Sequence, residues 1–97
     1  MVITSGFNVY SREVVNVLNS LPGVRDSAIA GEPDPMRGAI IKAYVVCDDP
    51  SITEDDVKKS ARKQLTSYKT PRKVEFVSAI PRDEKGKVLL DLLKHRT

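Results

Sequence analysis

A short basic segment near the C-terminal end is the part of the sequence best suited to chemistry. Within IPRDEKGKV, two lysines, Lys85 and Lys87, flank Gly86. Glycine adopts backbone conformations that other residues avoid, so a lysine beside it can be turned toward an anion. The segment is not a phosphate-binding P-loop, because Pro81 and Val88 stand where that motif needs Gly and Ser or Thr. Taken alone, the pattern is more typical of a solvated basic turn than of an anion site.

Other reactive groups are sparse in this sequence. Its one cysteine, Cys47, cannot form an internal disulfide, and with a single histidine, His95, there is no Cys/His cluster for a metal. Cys47 closes an apolar run, so we predict a small core residue rather than a nucleophile. The spacing indicates neither an acid–base pair nor a Ser/His/Asp set, and we predict no metal site.

Charge is distributed unevenly along the chain, although the net charge is only +3. Residues 48–56 carry five acids and no base, whereas residues 57–73 carry seven bases and no acid. A helix with acids in its first turn and bases near its end would have this pattern for electrostatic reasons. The same distribution of charge is expected of a surface that binds a polyanion, and the sequence leaves both interpretations open.

The N-terminal half is predicted to form a helix followed by a hairpin. Ser11 is a candidate N-cap, and a Pro-Gly pair ends the helix. Its apolar positions have three-and-four spacing at Val14, Val15, Val17, Leu18 and Leu21. Residues 24–31 are predicted as a strand, 32–38 as a turn with two prolines, and 39–47 as a β-rich central strand. Residues 1–10 have no obvious partner.

The C-terminal half is predicted to add a helix, a strand and a last helix. Thr53 and Asp56 have the spacing of a capping box, and a Thr-Pro pair ends that helix. Its apolar stripe is Val57, Ala61, Leu65 and Tyr68. Residues 73–77 are predicted as a strand, 80–86 as a polar loop and 88–95 as a helix. The order of elements predicts an α+β fold, a three-stranded sheet with helices packed against it.

Length and composition predict one globular domain. The chain has 97 residues, of which 40% are apolar and 30% charged. No apolar run approaches the ~20 residues of a transmembrane helix. The first ten residues lack the basic and apolar regions of a secretory signal, so we expect a cytoplasmic setting.

Three motifs give nearly the whole chain a clear resemblance to a known family. A glycine-aromatic-asparagine segment precedes a helix with Glu13, a hairpin strand carries Lys42 and Ala43, and a YKTP segment leads into IPR and GK. In this order they resemble the C-terminal domain of acyl-CoA synthetases, fatty-acid–CoA ligases above all, of the adenylate-forming (AMP-binding) superfamily. The resemblance implies that residues 1–97 are a mobile C-terminal domain whose large N-terminal domain is absent, and the abrupt start suggests a fragment.

The resemblance also implies a reaction. Such enzymes join a carboxylic acid to ATP, release pyrophosphate, and transfer the acyl group from the acyl-adenylate to the thiol of coenzyme A. The N-terminal domain holds the acyl pocket, the magnesium and most of the ATP site, so this domain alone would be inactive. The C-terminal domain swings between two poses, one for each half-reaction.

Particular residues acquire roles through the same resemblance. Lys87 corresponds to the catalytic lysine of the first half-reaction, and Gly86 gives its loop the bend. In the second pose, the segment that faces the pantetheine tunnel corresponds to Ser5, Gly6 and Phe7. Candidates for contacts with the CoA nucleotide are Arg62, Tyr68 and Arg72, with Tyr68 alternatively a core residue. Many relatives have threonine where Asp83 stands.

Three alternatives accompany this interpretation, one of them a free-standing interaction protein that has lost its catalytic partner. The acyl acceptor could be the pantetheine arm of a carrier protein, which presents the same thiol, although the basic run at 57–73 favours the 3′-phosphate of free CoA. A small basic RNA-binding module is the alternative from another class. It is disfavoured because the five aromatic residues are not arranged as stacking pairs and no Gly-x-x-Gly clamp occurs. We therefore expect no nucleic-acid partner.

Overall fold

Within the residues that the structure describes, five strands and three α-helices build the fold. The structure is a computed structural model and describes residues 2–4, 6–36 and 38–94. In chain order the elements are β1 (Val2–Thr4), β2 (Phe7–Val9), α1 (Ser11–Asn19), β3 (Val24–Asp34), β4 (Gly38–Cys47), α2 (Glu54–Arg62), a 3₁₀ helix (Ser67–Lys69), β5 (Lys73–Phe76) and α3 (Leu90–Lys94).

The main sheet has the strand order β3-β4-β5, so β4 is its central strand, as the sequence predicts. β3 pairs with β4 in an antiparallel hairpin, and β5 pairs with β4 in parallel after the crossover through α2. The predicted α+β fold, a three-stranded sheet with helices packed on it, is confirmed.

Two apolar clusters cover the two faces of this sheet. Alternate side chains of a strand point to opposite faces, and β4 is apolar on both. One face packs against α1 and α2 through Ile41, Ala43 and Val45. The other packs against Ile80 and α3 through Tyr44 and Val46, and Leu93 of α3 is 2% exposed. A continuous apolar run is what a strand buried on both sides requires.

The hairpin turn is shorter than predicted. Pairing continues from β3 through Pro33, opposite Ala39, to Asp34, opposite Gly38, so the prediction of a turn over 32–38 is wrong. A proline cannot donate a ladder hydrogen bond, but it is tolerated on an edge strand, and β3 is an edge strand.

The predicted start of α2 is confirmed, but its predicted end is wrong. Thr53 Oγ1 accepts from the Asp56 N–H at 3.2 Å, and the Thr53 N–H donates to Asp56 Oδ2 at 3.0 Å. The helix ends at Arg62, eight residues before the Thr-Pro pair. Thr66 is extended, with φ −66° and ψ 161°, because Ser and Thr favour non-helical backbone. Tyr68 therefore lies on the 3₁₀ helix.

The N-terminal segment does have partners, contrary to the prediction. β1 and β2 form a small antiparallel hairpin, β1 lies against β3 and β4, and Val9 is fully buried. Strands of three residues are too short to show the alternation by which strands are recognised in a sequence. Ser11 is not the N-cap of α1 either, because Tyr10 occupies that position without a side-chain cap bond.

The last helix begins later than predicted. α3 starts at Leu90 because Val88 is engaged in a bridge with Arg82. Leu93 packs into the core, whereas Leu92 is 58% exposed, and His95 lies outside the described residues. In the part of the chain that the structure describes, no helix is long and apolar enough to cross a membrane.

Candidate functional site

The segment around Lys87 forms a tight, closed loop. It is closed by the antiparallel bridge between Arg82 and Val88. Within the loop, the Asp83 N–H donates to the Lys87 carbonyl at 2.9 Å, and the Gly86 N–H donates to the Asp83 carbonyl at 3.0 Å. Gly86 has φ 85°, a left-handed conformation that glycine adopts at little cost. The chain thus reverses direction next to Lys87.

The carboxylate of Asp83 adds a second set of bonds to this loop. Its Oδ1 accepts from the backbone N–H of Lys85 and from that of Lys87, both at 2.9 Å. Sequence reasoning treated Asp83 only as a departure from the family pattern. The tendency of aspartate to accept hydrogen bonds from backbone a few residues ahead is the signal that could have predicted these bonds.

An ion pair joins the loop to the main sheet. Arg82 Nη1 and Nη2 contact Asp26 Oδ2 and Oδ1 of β3 at 2.5 and 2.7 Å. The hydrogen bonds from Arg82 lower the pKa of Asp26, against an opposing effect of partial burial. The same hydrogen bonds raise the pKa of Arg82. A two-point guanidinium–carboxylate contact fixes orientation as well as distance.

The side chain of Lys87 is exposed at the rim of a groove between the loop, α1 and β3. The groove has a volume of about 400 Å³. Apolar atoms of its lining come from Val15, Ala28, Ile29, Val88 and Leu90. Lys87 forms no ion pair with any residue described by the structure, so its ammonium is available to an external anion.

A second groove gathers basic side chains near β5. It has a volume of about 260 Å³, and its lining residues are Lys58, Arg62, Ser67, Thr70, Pro71 and Arg72. Arg62 and Arg72 are exposed and have no ion pair among the described residues. Lys58 contacts Glu54 at 2.7 Å, so its charge is partly offset. The Thr70 hydroxyl donates to the Thr66 carbonyl at 3.0 Å, which leaves two arginines and the Ser67 hydroxyl as donors suited to a phosphate.

Both interpretations of the charge asymmetry find support here. Acids lie in the first turn of α2 and bases in its last turn, as helix electrostatics favours. Three bases of the run are engaged in ion pairs: Lys58 with Glu54, Lys69 with Glu13 and Lys73 with Glu32. The bases of this run that line the basic groove without an ion pair to a described residue are Arg62 and Arg72.

Tyr68 does not line the basic groove. It is half-buried against the main core, which agrees with the alternative of a core role. The ammonium of Lys69 lies 5.7 Å from the centre of the Tyr68 ring and 2.9 Å from Glu13 Oε1. The hydrogen bond to Glu13 raises the pKa of Lys69.

The glycine-aromatic segment lies close to the same 3₁₀ helix. β2 contacts that helix, so the backbone after Gly6 approaches the residues around Tyr68. Gly6 has φ 81°, and a Cβ at this position would meet no atom within 4 Å. Ser5 and the side chain of Phe7 lie outside the described part of the structure.

The two grooves lie at opposite edges of the main sheet. The Lys87 loop is joined to β3, one edge strand, through Arg82. The basic groove is built by α2 and by the segment that leads into β5, the other edge strand. They share no lining residue, so the two grooves are separate surfaces.

Comparison with known proteins gives one consistent result. Residues 13–87 match the family described as the AMP-binding enzyme C-terminal domain. The chain is 43% identical over 89 residues to a long-chain-fatty-acid–CoA ligase of Escherichia coli O6:H1, covering 92% of this chain and 16% of the ligase. It is 38% identical over 96 residues to a long-chain-fatty-acid–CoA ligase of Mycobacterium tuberculosis, covering 99% of this chain and 19% of the ligase.

A solved structure shows the same fold. The o-succinylbenzoate CoA synthetase of Bacillus subtilis, in complex with its acyl-adenylate intermediate, superposes with a TM-score of 0.90 at 30% identity. The match covers 99% of this chain and 20% of the synthetase. The chain thus spans a fifth or less of the length of these relatives.

Proposed function

The chain belongs to the AMP-binding enzyme C-terminal domain family, and on that premise we propose that it works as the mobile C-terminal domain of a longer acyl-CoA synthetase. The parent protein activates a carboxylic acid, a fatty acid by the similarity to fatty-acid–CoA ligases. In the first half-reaction a carboxylate oxygen attacks the α-phosphorus of ATP and pyrophosphate leaves. In the second, the thiol of CoA attacks the acyl carbon and AMP leaves.

The observation that carries this proposal is the exposed Lys87 on a closed loop. Its ammonium has no partner carboxylate among the described residues, and its backbone is bonded on both sides to Asp83. Placed next to the reacting groups, such a charge stabilises the negative charge that develops on the phosphoryl oxygens and helps to orient the carboxylate. Lys87 is the residue that we assign to adenylate formation, with Gly86 allowing the bend of its loop.

The basic groove supports a role in the second half-reaction. Arg62 and Arg72 supply two guanidinium groups for the phosphates of the CoA nucleotide, and Lys58 lies in the same groove. The turn at Gly6 has room around it for the slender pantetheine arm, and we assign the segment Ser5, Gly6 and Phe7 to that passage. Free CoA suits this groove better than a carrier-protein arm, which lacks the 3′-phosphate.

ATP and magnesium are assigned mainly to the N-terminal domain of the parent protein. We also assign the N-terminal domain as the partner of this chain. The relatives are five to six times as long as the part of them that matches this chain, which leaves room for such a domain. The domain moves between two poses, presenting the Lys87 edge for adenylation and the basic edge for thioester formation. Tyr68, packed beside Lys69, is a supporting residue at the second edge.

The proposal is tested on the parent protein with ATP, magnesium, CoA and a series of fatty acids. Acyl-CoA, AMP and pyrophosphate should form in equal amounts, and the 97-residue chain alone should release no pyrophosphate. ADP as the nucleotide product would contradict the proposed chemistry. Turnover by the isolated chain would contradict the two-domain assignment.

A further inference from the structure

We infer that Asp83 is a positioning residue for Lys87 in adenylate formation. The inference rests on the proposed function and extends it to a side chain that touches no reacting atom. It starts from one observation: a single carboxylate oxygen accepts the backbone N–H groups of both Lys85 and Lys87 at 2.9 Å.

Asp83 holds the backbone of Lys87 from both sides. The Lys87 N–H donates to the Asp83 side chain, and the Lys87 carbonyl accepts from the Asp83 N–H. The Asp83 carbonyl accepts in turn from the Gly86 N–H at 3.0 Å. Four hydrogen bonds therefore join residue 83 to residues 85–87. Only the two bonds to the carboxylate depend on the type of side chain.

The loop is fixed to the domain at the residue before Asp83. Arg82 contacts Asp26 of β3 through both terminal nitrogens. A continuous path of bonds thus runs from the edge strand through Arg82 and Asp83 to the Cα of Lys87. The Lys87 side chain can still rotate about its own bonds, but the position of its Cα is fixed relative to the main sheet.

This arrangement matters because a catalytic charge must be placed accurately. A misplacement of about 1 Å can cost about 100-fold in rate. Gly86 makes the loop easy to distort, since glycine has a wide range of backbone conformations. The carboxylate of Asp83 counters that freedom, and we expect it to act through backbone position, because it contacts amide groups and forms no ion pair with the Lys87 ammonium.

The test compares three variants of the parent protein: Asp83→Ala, Asp83→Asn and Glu84→Ala. Asparagine keeps the Oδ1 acceptor and removes the charge, whereas alanine removes both. Glu84 is the adjacent exposed acid and serves as the matched control. The two half-reactions are measured separately, as pyrophosphate release and as thioester formation from pre-formed acyl-adenylate, and millisecond hydrogen exchange reports on the loop amides.

Asp83→Ala should slow adenylate formation by about 10- to 100-fold and leave thioester formation within about twofold. Asp83→Asn and Glu84→Ala should stay within about threefold of the wild type in both steps, since a retained acceptor preserves most of a backbone contact. Exchange in the peptide that contains residues 82–89 should accelerate in Asp83→Ala alone.

Several outcomes would overturn the inference. An asparagine variant as slow as the alanine variant would mean that charge, not backbone position, matters. Equal losses in the two half-reactions of Asp83→Ala would indicate a role of Asp83 in folding. A wild-type rate of adenylate formation in Asp83→Ala would show that Asp83 does not position Lys87. Failure of the proposed function would give other results: the wild-type parent would make no adenylate, or Lys87→Ala would leave the rate of adenylate formation unchanged.

Discussion

Arg82 and Asp26 form a two-point ion pair that joins the Lys87 loop to the edge strand β3. The two contacts measure 2.5 and 2.7 Å, and the residues stand 56 positions apart in the chain. Both side chains are partly buried, at 37% and 27% exposure, so the pair is neither fully screened by solvent nor part of the core. The loop is thereby held to the domain that carries it.

Asp26→Asn should lower the stability of the chain at neutral pH by up to about 1 kcal/mol. The pKa of Asp26 is lower in the folded than in the unfolded chain, mainly through the hydrogen bonds from Arg82. The stabilisation is therefore fully present above the unfolded pKa, and it is lost as the pH falls through the folded pKa. Urea unfolding of both proteins over an acid pH series measures it.

Glu84→Gln is the matched control for this experiment. It removes an exposed carboxylate from the same loop and should leave the free energy of unfolding nearly unchanged at every pH. The wild type and Asp26→Asn should converge in stability once the pH lies below the folded-state pKa of Asp26. A difference that persists there at its neutral-pH size would show that the ion pair is not its source.

Gly6→Leu in the parent protein should slow thioester formation more than adenylate formation, because a bulky side chain would obstruct the passage that we propose for pantetheine. Gly38→Leu is the matched control. Both glycines have a positive φ, 81° and 79°, and open space where a Cβ would lie. Each variant therefore carries a similar backbone strain of roughly 1–2 kcal/mol. Equal losses in both half-reactions of Gly6→Leu would indicate a structural role instead.

Arg72→Ala should raise the KM for CoA by about tenfold and leave adenylate formation unchanged, since a charge-assisted hydrogen bond to phosphate is lost. Arg62→Ala should act in the same direction, because both arginines line one groove. Lys59→Ala is the control, as an exposed base of α2 outside that groove. The effect should shrink with dephospho-CoA if the groove binds the 3′-phosphate. An unchanged KM in both arginine variants would contradict this assignment.

Local patterns in the sequence predicted much of the fold. The Thr53 capping box, the central strand β4 and the α+β architecture follow from spacing and residue type. The end of α2 could not be predicted in this way, because the apolar stripe continues through Leu65 and Tyr68 after the helix has ended. Burial in the same core produces the same apolar positions in a helix and in the irregular segment that follows it.

The residues of the proposed site can be selected one by one from the sequence, but their arrangement cannot. Lys87 and Gly86 stand out through their types and through the family motif. The contact between Arg82 and Asp26 joins distant parts of the chain, and no local pattern encodes such a partner. That Arg62 and Arg72 line one groove likewise depends on the turn after α2, which the sequence analysis placed inside a helix.

The proposed role of Lys87 in adenylate formation is tested by measuring the two half-reactions of the parent protein separately. Lys87→Ala should reduce the rate of adenylate formation by about 100- to 1,000-fold, the loss seen when a group that stabilises developing charge is removed. Thioester formation from pre-formed acyl-adenylate should remain near the wild-type rate, because in the proposed two-pose cycle Lys87 would contact the α-phosphate region in only one pose.

Lys85→Ala is the matched control, since this lysine is exposed in the same loop two positions earlier. It should leave both half-reactions close to wild type, and neither variant should change the melting temperature appreciably, because both side chains are at the surface. The measurement is the single-turnover rate of pyrophosphate release for the three proteins. We expect a large loss in Lys87→Ala alone, whereas a wild-type rate in Lys87→Ala would show that Lys87 is not the adenylation lysine.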